Sequence, residues 1–582
     1  MRHLIVIALA ACTTTPPEGH PPAAEPPPPW GVSISGGTMI VMRDGARAVI
    51  GDPDRDRVLS VKLATGAVSA DIALDPGSEP GRLVEDGAHR IHIVLRGSGA
   101  LLTFDPATGK TIAKRSVCSE PRGVAWESAT DLVHVACATG ELVSMPAAGG
   151  APVRTLELGR DLRDVVVSGA NIVVTKFRFP EVITIDATGA ILTSVKPPAV
   201  NRFLNLETGT TAESVPTVAW RTIALPDGRL IMTHQRKRPL PQPLRVTTGG
   251  YGNESTTIRT CGKGPIESAL TIFGPDPFPV AAFIQDALPI DIAASADQVA
   301  VITAATNRVQ LISSAMLARP DDSACGDPTT EQPTPVDDKL GTPTSVAFTP
   351  ANELIVFYPE LPALVIHAAT PRTIKLPGRF GYSSARALFH RQGGVPMACA
   401  SCHPEGGDDG QVWPFEFGPR RTMNLRGGIL ARAPYHWSGD MPDIPTLIEN
   451  VFTKRMNGGA LTRSENLSMG PWLDRLRAPA PKTNADTTAI ARGQALFLDP
   501  AQGCINCHSG PMYTTNQLVD VGRGIFKVPS LIGVGARAPY LHDGCAATLM
   551  DRFTTCAHPS HGNTANLSAT QLTDLIAFLE SL

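Results

Sequence analysis

The chain of 582 residues is too long for one hydrophobic core and requires two to four domains. Its 42% hydrophobic and 18% charged residues and its formal net charge of −3 describe a globular protein with no polyanion-binding surface, which excludes nucleic acid as a partner. Aromatics are sparse at 5% while Gly and Pro number 53 each, a balance that favours short strands and turns over long helices.

In chain order, the first element is "MRHLIVIALAAC", a basic start followed by eight apolar residues, 4–11. A bilayer-crossing helix needs about twenty, so this pattern is an export signal, 1–11. Leu9-Ala10-Ala11-Cys12 resembles a bacterial lipoprotein lipobox, which implies cleavage before Cys12 and lipidation of its sulfur. The alternative is an ordinary secretory signal with an incidental Cys. Residues 12–34 then form the anchor and a Thr/Pro-rich tether. The expected location is the periplasm or cell envelope. Thr13, where inner-membrane lipoproteins carry Asp, favours the outer membrane, with the lipid as the only membrane contact.

Cysteine usage agrees with export. Of eleven Cys, one is the anchor candidate and four lie in paired motifs, leaving Cys118, Cys137, Cys261, Cys325, Cys545 and Cys556. Proximity suggests the pairs 118–137, 261–325 and 545–556 among fifteen connectivities.

Between residues 57 and 200 one phrase recurs: "VLSVKLATGAV", "LLTFDPATGKT", "LVSMPAAGGAP", "VITIDATGAIL". Its glycines, Gly66, Gly109, Gly149 and Gly189, are spaced by 43, 40 and 40 residues. A period near forty with several strands per unit predicts an all-β propeller of seven or eight blades over 35–375. It resembles the YVTN-type bacterial surface propellers. The basic, Pro-rich stretch "HQRKRPLPQPLR" at 234–245 reads as a solvated insertion or a docking loop. No metal or nucleophile cluster marks this half, so scaffolding or binding of a protein partner is the expected role.

The second half contains Cys-x-x-Cys-His twice, at Cys399/Cys402/His403 and Cys504/Cys507/His508, 105 residues apart. "ARAPY" recurs at 431–435 and 536–540 with the same offset, "ARALF" parallels "GQALF", and "TLIENVF" parallels "TLMDRF". This is an internal duplication: two mainly α, cytochrome c-like units, 376–480 and 481–582. The last closes with an amphipathic helix, "SATQLTDLIAFLESL", capped by Ser568. Two thiols three residues apart with a following His attach a c-type haem, the thiols forming thioethers and the His meeting the iron. Zinc would need four ligands per site, and neither motif has a second Cys pair to supply them. Two covalently attached haems are therefore expected.

"GPRRTMNL", "APYHWSGD" and "KVPSLIGVGARAPYLHDGCAATL" together with both motifs, over roughly 380–582, resemble the bacterial di-haem cytochrome c peroxidase family, which includes the enzyme that matures methylamine dehydrogenase. The resemblance implies a peroxide haem held by His403, an electron-transfer haem held by His508, and Trp437 as a relay between them. It implies reduction of hydrogen peroxide with electrons from a small periplasmic cytochrome c or cupredoxin. Cleaving the O–O bond needs an acid/base beside the open iron position; Glu449 is the candidate, with Asp440 and Asp443 as alternatives. The family's capping His between the first motif and "GPR" is absent, so the first haem is expected open unless His436 ligates it. The family position of the sixth ligand at the second haem falls on Cys556. With Cys545 near enough to bridge it, the ligand passes to His561, His558 or Met550, in that order. The family's inter-haem calcium is doubtful, because Arg421 and Lys527 bring cations to its place. Two rival readings stand beside peroxide reduction: peroxide-dependent oxidation of a partner protein held by the propeller, and a non-enzymatic electron-transfer module.

Overall fold

A computed structural model of the chain describes residues 32–205, 211–238, 258–260, 264–280, 286–320, 338–415, 417–482 and 485–582. Cys12, Cys261, Cys325 and the segment 239–245 lie outside these residues.

Seven antiparallel sheets follow one another, over 39–73, 80–116, 121–157, 162–195, 200–279, 289–313 and 345–375. The first strand of each blade, or in the fifth blade the long second strand Thr211–Ala224, packs against its counterpart in the next blade, and that of the last blade against that of the first, so these strands form the inner ring of a seven-bladed propeller. The blades bury apolar faces against each other. Ile50 and Leu59 of the first blade share a cluster with Phe357 and Leu364 of the seventh, closing the ring by packing alone. The repeated glycines all lie between third and fourth strands, with φ of +74°, +74°, +125° and +95° at Gly66, Gly109, Gly149 and Gly189. A tight hairpin there needs left-handed backbone, which glycine adopts without steric cost.

The count is therefore seven, not eight. The fifth sheet has six strands and the sixth has three among the described residues, so the forty-residue rhythm fails where the sequence lost it. The basic stretch beginning at 234 is not a solvated insertion over its described part. Leu230–Lys237 is a central strand, His234 is buried, and Arg236 and Arg238 both bond Glu267, at 3.3 and 3.0 Å. A buried carboxylate neutralises what the sequence shows only as charge.

Beyond residue 376 each repeat is built on one helix pair. In the first, α1 (Ser384–His390) crosses α2 (Arg463–Asp474); in the second, α3 (Thr487–Leu498) crosses α4 (Ala569–Glu580). The duplication is visible in the aromatic contacts. Phe389 meets Trp472 at 5.1 Å and 52°, and Phe497 meets Phe578 at 5.2 Å and 51°. Ser568 caps α4, accepting from Gln571 N while Gln571 Oε1 accepts from Ser568 N. The expectation of mainly helical units is corrected: helices cover a minority of this region, and short turns, two hairpins and long loops make up the rest. Those loops surround a cavity, so apolar side chains face a void rather than a third helix. The first repeat shares one apolar core with the propeller, running from Trp220 and Ile290 to Leu388, Met397 and Trp472, whereas the second has its own around Phe497, Leu575 and Phe578. Disulfides Cys118–Cys137 and Cys545–Cys556 are formed as the spacing suggested.

Candidate functional site

Both motifs form a single tight turn. His403 N donates to Cys399 O and His508 N to Cys504 O, each at 2.9 Å. Each imidazole then donates from Nδ1 to a backbone carbonyl, His403 to Gly407 O at 3.2 Å and His508 to Tyr513 O at 3.1 Å. That fixes the tautomer and leaves Nε2 as a free lone pair, the arrangement of a metal-ligating histidine. Cys399, Cys402, Cys504 and Cys507 are unbridged, and burial pushes the Cys399 thiol up to about 12.

The two motifs line one cavity of about 660 Å³. At its second end, the rings of His508 and His561 face each other with centroids 6.3 Å apart and planes 27° apart. Two Nε2–metal bonds of about 2 Å, plus about 1.2 Å from each nitrogen to its ring centre, sum to nearly that separation, so the spacing suits two imidazoles holding one iron. Burial keeps both imidazoles neutral, His508 down to about 4 and His561 to about 3, which is the ligating form. The cavity wall also contains buried guanidinium nitrogens without a hydrogen-bond partner among the described residues: Nε of Arg421, Arg432 and Arg455. Carboxylates of a bound group would satisfy them. Paired thiols, oriented imidazoles, an apolar cavity and unpartnered guanidinium Nε atoms fit haem of the c type.

Of the remaining candidates for the second iron, Cys556 is spent in the disulfide, and His558 and Met550 do not line the cavity. Among the described residues no ring contact to His403 matches that of His561 to His508; the imidazole that acts on His403 is that of His436, the alternative ligand named above. The group found on the wall near His403 is a dyad. His436 Nδ1 lies 3.0 Å from Asp440 Oδ1, which also accepts from Ser438 Oγ at 2.7 Å. Burial opposes it, but the His436 and Ser438 bonds hold the Asp440 carboxyl well below the usual range. His436 has φ +66°, an uncommon conformation for a non-glycine residue and one that clusters at functional sites. The other two acid/base candidates lie elsewhere. Glu449 opens the π-helical turn Glu449–Arg455 but is absent from the cavity wall, which that turn reaches with Val451, Phe452 and Arg455 instead. Asp443 is an exposed N-cap, accepting from Thr446 N at 2.7 Å.

Trp437 stands between the repeats, its Nε1 donating to Arg421 O at 2.8 Å and its own carbonyl accepting from Lys527 N at 2.8 Å. Reciprocally, His542 O accepts from Arg421 N at 2.6 Å, so each repeat's hairpin holds the other's ring-bearing loop. Lys527 Nζ donates to Arg432 O at 2.6 Å, and Arg421 to Asp408 at 2.8 Å and to Thr422 O at 2.9 Å. These cations serve the carbonyls that a hard divalent ion would otherwise use.

Sequence reasoning missed how the first motif is held. Glu405, two residues after His403 and 5% exposed, receives Arg163 Nη1 at 2.6 Å and Arg96 Nη2 at 2.7 Å from the propeller. Burial alone would raise its carboxyl; Arg163, Arg96 and Arg122 reverse this and hold it well below the usual range. A lone Glu after the motif carries no signal of this, because its partners lie more than 240 residues away in the chain.

No family model matches the chain. Among solved structures, a chain of Kuenenia stuttgartiensis hydrazine synthase superposes with TM-score 0.46 at 14% identity over 62% of this chain and 99% of that one. A streptogramin B lyase superposes with TM-score 0.37 at 12% identity over 56% and 90%. By sequence, the chain is similar to hydrazine synthase subunit gamma of Kuenenia stuttgartiensis, 28% identical over 38% of this chain and 82% of that protein.

Proposed function

We propose that the protein is a di-haem c-type oxidoreductase in which a small molecule reacts at the His403 site and electrons enter at the His508–His561 site. The observation that supports this is the asymmetry of the duplicated sites: the ring of His561 lies 6.3 Å from that of His508, whereas the imidazole near His403, that of His436, is bonded to Asp440. When bound, the haems supply one-electron redox centres and, at the first site, an open iron position. The chain's own part is to hold and to move protons. His403 and His508 ligate through Nε2, while Arg432 and Arg455 pair with the carboxylates of the bound groups. His436, oriented by Asp440, carries a proton between the two oxygens of a peroxide.

The substrate read from the motifs is hydrogen peroxide, which takes two electrons and two protons to give two waters, with a small periplasmic redox protein as donor. The two disulfides support an oxidising compartment, in line with an exported, lipid-anchored protein. A second reading follows from the relative's name, hydrazine synthase: the same position takes small nitrogen compounds, with hydrazine as the product. The test is steady-state turnover by the two-haem protein, with reduced cytochrome c and with each substrate. Peroxide turnover well above that of His403→Gly supports the first reading. Turnover of only the nitrogen compounds moves the assignment to the second, and turnover of neither above His403→Gly removes both.

A further inference from the structure

The loop that orients His403 is pinned to the propeller on both sides. Gly407 O accepts the imidazole N–H, and Gly407 lies between Glu405 and Asp408. Glu405 is held by Arg96 and Arg163, with Arg122 4.0 Å away; Asp408 receives Arg178 at 2.9 Å. These arginines come from the second, third and fourth blades, and Arg122 and Arg163 stand on the inner strands. Arg163 is fully buried, 4.1 Å above the ring of Phe177, with its Nε donating to Trp220 O. Arg122 also pairs with Glu120 at 3.4 Å and Asp161 at 3.1 Å, whereas the carboxylate that bonds Arg163 and Arg96 is that of Glu405.

The duplication supplies an internal control. The position equivalent to Glu405 in the second repeat, 105 residues on, is Gly510 with φ +71°. Glu405 adopts the same left-handed backbone, φ +53°, where glycine is the residue without steric penalty. His508 is oriented by a plain turn, "HSGPMY", with no carboxylate inside it.

We propose that Glu405 is a positioning residue through which the propeller orients His403 and sets the electron affinity of the first haem, while the second haem is outside this control. The proposal rests on the di-haem reading and extends it by giving the propeller a role in tuning. Within a buried site a fixed charge near a redox centre acts with little screening, so a lost negative charge favours the reduced state and a lost positive charge favours the oxidised one.

The test is a spectroscopic redox titration of the full-length, two-haem protein and two variants, Glu405→Gln and Arg96→Gln, following the two haems separately. The expected result is an upward shift of the first haem's midpoint in Glu405→Gln and a downward shift in Arg96→Gln, with the second haem unmoved in both. The first haem's low-temperature EPR line shape should change in Glu405→Gln as its imidazole is released. Unchanged midpoints, shifts of the same sign in both variants, or equal shifts at both haems overturn it. If Glu405→Gln fails to fold, Arg96→Gln decides alone. A wild-type chain that does not take up two haems overturns the di-haem reading itself, a separate outcome.

Discussion

Trp437 and His542 occupy the same place in the two repeats, 105 residues apart, and their rings meet nearly edge-on at 6.3 Å. Phe526 bridges them, stacked on His542 at 3.9 Å and edge-on to Trp437 at 6.3 Å. The duplicated scaffold has brought its two equivalent aromatic positions together at the boundary between the motifs. In the di-haem reading proposed above, these ring contacts are the route assigned to the electrons.

Replacing Trp437 by Leu should therefore slow electron passage between the sites by ~10-fold or more, about 1.4 kcal/mol in barrier, while both haems still load. Trp437→Phe, which keeps a ring and loses only the bond to Arg421 O, should slow it less. Stopped-flow oxidation of the pre-reduced protein measures this. Equal rates in all three proteins would remove Trp437 from the path.

The crossing of α3 and α4 depends on Gly493. A Cβ built there would lie 1.9 Å from Asp574 O, a backbone atom that can move only with its helix. Gly493→Ala should cost about 3 kcal/mol, the upper end for an overpacked contact, and should loosen the Phe497–Phe578 pair. Denaturant unfolding of the second repeat would show it. An unchanged midpoint would mean that the crossing is not tight.

Cys118–Cys137 closes a loop with sequence separation 19 at the packing between the second and third blades. Its double Ser variant should lose about 3 kcal/mol of propeller stability through chain entropy, without changing either haem spectrum. A changed first-haem spectrum would show that this blade contact also governs the His403 loop.

The buried carboxyls should contribute most to stability at about pH 4, the value they have in the unfolded chain. Burial raises Asp291 to about 6, and burial with the nearby Asp54 raises Asp52 to about 6. Groups with raised folded values stabilise at low pH and lose that contribution as pH rises through about 6. Burial opposes the shift at Asp408 and Glu120, but their arginine partners hold both at about 2, and Glu405 also lies below its usual value. Such groups stabilise above the unfolded carboxyl value of about 4, and that contribution is lost as pH falls through the folded values. Asp291→Asn should gain in urea midpoint relative to wild type between about pH 4 and 7, where the wild-type carboxyl is forced to ionise, whereas Asp408→Asn should lose most above about pH 4. Differences independent of pH would contradict these assignments.

Much of this architecture is legible in the sequence, and what is hidden has physical causes. Gly66, Gly109, Gly149 and Gly189 announce the blades because a hairpin with positive φ has few other residues to use. The two motifs and the 105-residue offset announce the duplication, and Ser568 announces the start of its last helix. The fifth blade was hidden, because Arg236 in a buried strand and Arg238 just beyond it both pair with Glu267, 31 and 29 residues away in the chain. Glu449 looked like an acid/base by its place after Trp437, yet the π-helical turn presents Phe452 and Arg455 to the cavity instead. Glu405 was invisible because ion pairs formed across the whole chain leave no local pattern.

The central claim is that the duplicated sites are unequal, the first open and the second closed by His508 and His561. Low-temperature EPR of the fully oxidised, two-haem protein tests it most directly. The account predicts one high-spin ferric signal and one low-spin signal of bis-imidazole type, each integrating to about one haem per chain. In His561→Gly, the low-spin signal should be replaced by a second high-spin one. Two low-spin signals in the wild-type protein would contradict the account, because both irons would then be capped.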